Sequence, residues 1–236
     1  MYGAYDIPVE LKKKDLSLSV TTAAYGYEYT RRISDRPDFN KLILADRSRM
    51  LINPVEPLNN PKHVTDYFQL EFDKKMTIAP HKEKKFFATF PIEIGVFLFT
   101  KQDFEPFDII NLVPAKYSLY GDPRVGVLTR YHKTGIFSEE PDIDPLRYGV
   151  VSISVRNTDS QWNTISRLVI NAYGMRLYYN EKIVKLFSTM KVLNEISAET
   201  DCYSPPSDKG FKKAMELYKS RKISITSSKF VMMEGI

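Results

Sequence analysis

The stretch FFATFPIEIGVFL, Phe86–Leu98, decides how the rest of the chain is read. It is a nearly unbroken series of aromatic and branched side chains, interrupted by Pro91 and Gly95. Such a series fits strands covered on both faces, central in a sheet, with Phe86–Phe90 and Ile92–Thr100 as the two elements. One residue breaks the pattern: Glu93 stands between Ile92 and Ile94. The plainer reading puts its carboxyl on the wet side of the sheet. In the other, Glu93 is buried and its pKa rises unless an Arg, Lys or Tyr meets it.

Working outward, Tyr67–Phe72 sets Tyr67, Gln69 and Glu71 against Phe68, Leu70 and Phe72, the period-two signature of a strand with one buried and one wetter face. Leu16–Thr22 and Ala24–Arg32 read as two strands, the second alternating Tyr25, Tyr27 and Tyr29 with small or polar residues. Lys41–Ala45 and Met50–Asn53 read as a hairpin around a polar turn. Pro54, Pro57 and Pro61 forbid helix and central strand, so Pro54–Lys62 is expected to be a connection. Phe107–Leu112, Lys116–Tyr120 and Val125–His132 continue the strand series. The 15 Tyr and 14 Phe, joined by many Ile, Val and Thr, suit a pleated, half-buried surface.

Ser138–Pro145 reads SEEPDIDP, acidic and proline-bearing, the best candidate for a boundary. After it come Tyr148–Asn157, Asn163–Ala172, Met175–Tyr179 and Ile183–Phe187 as strands, with Asn157–Gln161 as a polar turn. Asp208–Arg221 alone reads as helix, with Asp208 as N-cap and an apolar stripe of Phe211, Met215, Leu217 and Tyr218. Ile223–Met233 suggests a last strand. The expected fold is therefore all-β: antiparallel β-sandwiches in two units, 1–138 and 146–236, or one continuous domain, with one C-terminal helix at 208–221.

The formal charge of +5 comes from 34 basic and 29 acidic residues, with the signs interleaved. The basic clusters Lys12–Lys14, Lys82–Lys85 and Lys212–Lys222 are short enough to be solvated turns or helix faces. A single cysteine, Cys202, cannot form an internal disulfide, no Asn-x-Ser/Thr is present, and residues 1–14 lack a signal-like apolar core. Cytoplasmic residence follows. The longest apolar stretch is far below the roughly 18 to 20 residues that cross a bilayer, so no membrane span is expected.

No phosphate-cradling glycine loop, nucleophile elbow or His-Glu-x-x-His helix occurs. His63, His81 and His132 lie far apart with no nearby cysteine, so no metal and no cofactor is expected. Cys202, in DCYSPP, lacks the basic setting of a reactive thiolate. The segment to test is KYSLYGDPRVGVLTRYH, Lys116–His132. Strict alternation puts Arg124, Gly126, Leu128, Arg130 and His132 on one face, where Arg124, Arg130 and His132 are able to fork hydrogen bonds onto an anionic group while Gly126 permits close approach. The competing reading is that both arginines are matched to acids. The candidate ligand-binding set is Arg124, Arg130, His132, Lys116, Tyr120, Glu93 and Glu56.

Three stretches, INPVEPLNNP at Ile52–Pro61, FPIEIGVF at Phe90–Phe97 and KYSLYGDPRVGVLTRY at Lys116–Tyr131, with the YGAY start at Tyr2–Tyr5, carry a family likeness. On them the chain resembles an uncharacterised, mainly archaeal family known only as a domain of unknown function. The likeness implies a prokaryotic cytoplasmic protein and brings no activity, cofactor or site residue. Three functions stay open: a non-enzymatic β-sandwich binding or interaction module, able to form a homo-oligomer; an enzyme using carboxylates and arginines on a sugar or phosphorylated small molecule; and nucleic-acid binding on aromatic, lysine-bearing β faces.

Overall fold

The computed structural model describes residues 1–62, 64–99, 104–205, 210–217 and 228–236. It is all-β, 58% strand and 1% helical. The chain divides into two compact units, one of Met1–Asn53 with Gly95–Ile109 and one of Pro54–Ile94 with Ile110–Ile236.

In the first unit, β2 (Val9–Lys13), β3 (Leu16–Ala23), β4 (Gly26–Ile33) and β5 (Phe39–Ile43) form an antiparallel meander. Leu16, Leu18 and Val20 occupy alternate, buried positions of β3. A second sheet has the order β1 (Gly3–Asp6), β6 (Arg49–Val55), β9 (Glu93–Phe99), β10 (Phe104–Ile110), and β6, β9 and β10 run from one unit into the other. Tyr29, inside β4, is completely buried, whereas Tyr25, in the turn before that strand, is 82% exposed. The Tyr29 ring stands edge-on to Phe107 at 5.2 Å and its hydroxyl donates to Asp108 Oδ2 at 2.9 Å. Burial, then Asp108, push its pKa up.

The second unit is a sandwich of two sheets. One has the order β11 (Tyr117–Tyr120), β12 (Val127–Thr134), β7 (Tyr67–Ile78), β14 (Asn163–Asn171). The other runs β18 (Lys212–Lys213), β15 (Tyr178–Tyr179), β16 (Val184–Val192), β13 (Tyr148–Asn157), β8 (Glu83–Pro91), with β17 (Ala198–Cys202) on β16 and β19 (Phe230–Met232) on β17. Phe68 meets Phe90 edge-on at 6.4 Å and Phe72 meets Phe86 at 5.5 Å, so the aromatic sides of β7 and β8 face each other and close the core.

Four expectations need correction. Residues 41–45 and 50–53 are not a hairpin: β5 pairs with β4, and β6 pairs with β1, with Arg49 opposite Asp6. Pro54 lies within strand β6, two residues past Ile52, where the ladder to β1 ends. The described part of the expected helix, 210–217, is not helical. There Lys212–Lys213 pair with Tyr178–Tyr179 and Ala214 N donates to Leu177 O at 2.9 Å, so a sheet edge outcompetes helix propensity. Residues 208–209 and 218–221, like 223–227 of the expected last strand, lie outside the described residues. Finally, β12 runs parallel to β7 and β13 parallel to β16, against the expected antiparallel pairing.

Candidate functional site

Glu93 opens β9 between Ile92 and Ile94, and all three are fully buried, so this end of the strand has no wet face. The expectation of a solvent-facing Glu93 is therefore overturned. Its Oε1 receives Arg130 Nη1 at 2.6 Å and Asn60 N at 3.2 Å; its Oε2 receives Asn59 N at 2.9 Å. The proline-bounded turn 56–61 aims those two amides. Leu58 N and Asn59 Nδ2 both donate to the Glu56 carbonyl, at 2.9 and 2.6 Å, which tightens the turn under the carboxylate. Burial pushes the Glu93 pKa up, opposed first by Arg130 and then by the amides. Arg130 is 1% exposed and its Nη2 has no hydrogen-bond partner among the described residues.

The remaining candidates fall into two groups. Lys116 and His132 lie close enough to Arg130 for their charges to act together: burial, then Lys116 and Arg130, lower the His132 pKa to about 4, and its ring leans on Tyr148 at 5.8 Å. The others are brought elsewhere. Arg124 sits on the exposed turn before β12, its side chain 92% exposed and 3.8 Å from Asp122. Tyr120 is buried, donating to Gly235 O at 3.1 Å and accepting from Glu234 N at 3.0 Å, and so pins the C-terminal segment. Glu56 is buried and accepts from Leu217 N at 3.3 Å. Gly126 does permit a close approach, but by backbone: an added Cβ would meet Asp122 O and Tyr120 O at 2.6 Å. Cys202 is buried, and burial pushes its thiol up to about 12. His63 lies outside the described residues, and no three His, Cys, Asp or Glu gather as a metal-holding group among the described ones.

A second site escaped the sequence reading. Between β13 and β14 the turn NTDSQWN, 157–163, faces the β16–β17 turn across an open cleft of about 370 Å³, lined by Asp159, Gln161, Trp162, Asn163, Asn194, Glu195 and Ile196. Asn157 Nδ2 donates to Ile78 O, Ala79 O and Gln161 O at 2.8 to 3.2 Å, and its Oδ1 accepts from Asp159 N and Asn163 Nδ2. Thr158 joins the two turns through N and Oγ1 donations to Val192 O at 3.0 and 2.7 Å. Asn194 Oδ1 fixes the far wall by accepting from Ile196 N and Ser197 N. On this hydrogen-bonded frame Trp162, the chain's one tryptophan, is 66% exposed. Asn163 is 1% exposed and its Oδ1 has no hydrogen-bond partner among the described residues. The Asn163 amide, then backbone amides, hold Asp159 below the usual carboxylate range. The one signal that marks this turn in the sequence is the lone tryptophan set among Asn, Asp, Ser and Gln, where an apolar ring has no core to enter.

The fold and these two sites define an all-β protein with a charge pair shut into its core and a polar cleft, lined in part by an indole, open to solvent. The chain belongs to the family described as Protein of unknown function (DUF432), whose model matches residues 1–234. The match extends well beyond Tyr131, where the motifs that suggest the likeness end. No curated protein and no solved structure matches the chain.

Proposed function

We propose that this protein is a non-enzymatic β-sandwich binding module whose working surface is the Trp162 cleft. The observation that carries the reading is a contrast in access. Glu93 and Arg130, an ion pair of carboxylate and arginine, are 0% and 1% exposed and bonded to each other, whereas the cleft is open and lined in part by an exposed ring that gains from being covered. An enzymatic role built on Glu56 or Glu93 needs one of them to reach a substrate, and both accept backbone amides in the interior. Binding of nucleic acid there is disfavoured by the two carboxylates and absent bases among the described lining residues. The free, buried Cys202 supports a cytoplasmic setting. Tyr25 before β4, Leu42 in β5 and Leu44 just after it, 82%, 55% and 74% exposed, support self-association as a second mode of interaction.

Native mass spectrometry of the full chain after incubation with the small-molecule fraction of a cell extract tests the reading. The expected result is a retained adduct, released chemically unchanged and lost in Trp162→Ala. Steady conversion of the retained compound would show an enzyme and contradict it.

A further inference from the structure

We infer that the Trp162 cleft takes a neutral saccharide, with one sugar ring stacked on the indole; the inference rests on the binding-module reading above. Three features of the cleft narrow the ligand.

The first is the indole. At 66% exposure on a turn whose backbone is hydrogen-bonded at Gln161, Trp162 offers a flat apolar surface with only two side-chain torsions to order. A pyranose presents a matching surface, because its axial C–H bonds leave one side of the ring apolar while the hydroxyls project around the rim.

The second is the polar rim. Each sugar hydroxyl both donates and accepts, so a site for a diol needs donors and acceptors side by side. Asn194 supplies one such donor: its Oδ1 is already taken by Ile196 N and Ser197 N, which turns its amide Nδ2 outward as the free end. Gln161 adds an amide, and Asp159 and Glu195 add carboxylate acceptors. Asn163 backs the cleft from the interior, its Nδ2 donating to Asp159 Oδ2 at 3.1 Å and so fixing one carboxylate of the rim.

The third is charge. Two carboxylates and no base among the described lining residues repel phosphate and sulfate esters, sugar acids and nucleotides. An organic cation suits the carboxylates but leaves the amide donors of Asn194 and Gln161 unused. It also meets a single ring, where capture of ammonium groups commonly relies on several. A neutral ring uses the indole, the amides and the carboxylates together.

The sole tryptophan makes the test specific, since its emission and its indole N–H resonance report on this site alone. The full chain is titrated with glucose, mannose, galactose and N-acetylglucosamine and their linear oligomers, then with choline, arginine and inorganic phosphate. The expected result is a saturable shift of the Trp162 signals with at least one neutral saccharide. Calorimetry with that saccharide should show affinity falling by about tenfold or more in Trp162→Ala and measurably in Asn194→Ala, both exposed positions. No saturable shift with any neutral saccharide overturns the inference. A shift with choline, arginine or phosphate alone overturns the ligand class and leaves the binding-module reading standing. Undiminished saccharide affinity in Trp162→Ala overturns the placement. Cleavage or modification of the bound saccharide overturns the non-enzymatic reading and leaves the ligand class standing.

Discussion

Arg130 and Glu93 form the pair on which the inner site depends, and the cost of breaking it from one side follows from burial. Replacing Arg130 by Met leaves the Glu93 carboxylate in the core with only the Asn59 and Asn60 amides. The expected loss is about 3 to 5 kcal/mol in urea unfolding. The double variant Glu93→Gln with Arg130→Met removes the stranded charge and should regain a large part of it. Equal losses in the single and double variants would show that the pair is not coupled. Glu93 is legible in sequence as the only charge in the chain's most apolar stretch, and Arg130 as part of a polar strand. Their meeting is not, because it joins positions 37 apart through a fold that local patterns do not encode. Strict alternation also groups Arg124 with Arg130 and fails there: Gly126 N still belongs to the turn, donating to Asp122 O at 2.6 Å, and β12 begins at Val127.

At the scale of elements, the contact between β8 and β13 depends on a missing side chain. Gly149 lies opposite Phe90, and an added Cβ would come within 2.6 Å of Phe90 Cε1 and Cζ and 3.1 Å of Val184 O. Phe90 is fully buried against Phe68, so its ring has nowhere to retreat. Gly149→Ala is expected to lower stability by about 1 to 3 kcal/mol, read as a fall in Tm, and Gly149→Val by more. An unchanged Tm in both would mean that the two strands pack less closely than described. Most strands are legible from side-chain alternation: Tyr148–Asn157 is β13 as the sequence reads it, and Tyr67–Phe72 lies within β7. Their partners are not. The parallel pairing of β7 with β12 joins segments about sixty residues apart, and Lys212–Lys213 take a place at a sheet edge that no local helix propensity reveals.

On the scale of the whole molecule, charge of both signs is spread over the chain and the net excess is modest, so access separates the two sites more than charge does. One holds an arginine and a glutamate away from water; the other holds an indole in it. Among the described residues no helix is long and apolar enough to cross a membrane. The cleft was hidden from sequence reading because its walls, 159–163 and 194–196, are two ordinary polar turns until β13, β14, β16 and β17 bring them together.

The most direct test of an open, ligand-ready Trp162 is acrylamide quenching of its fluorescence in the full chain. The expected result is red-shifted emission and efficient quenching, both reduced when a ligand covers the cleft. Blue-shifted emission that resists acrylamide in the free protein would place the indole in the interior and contradict the account.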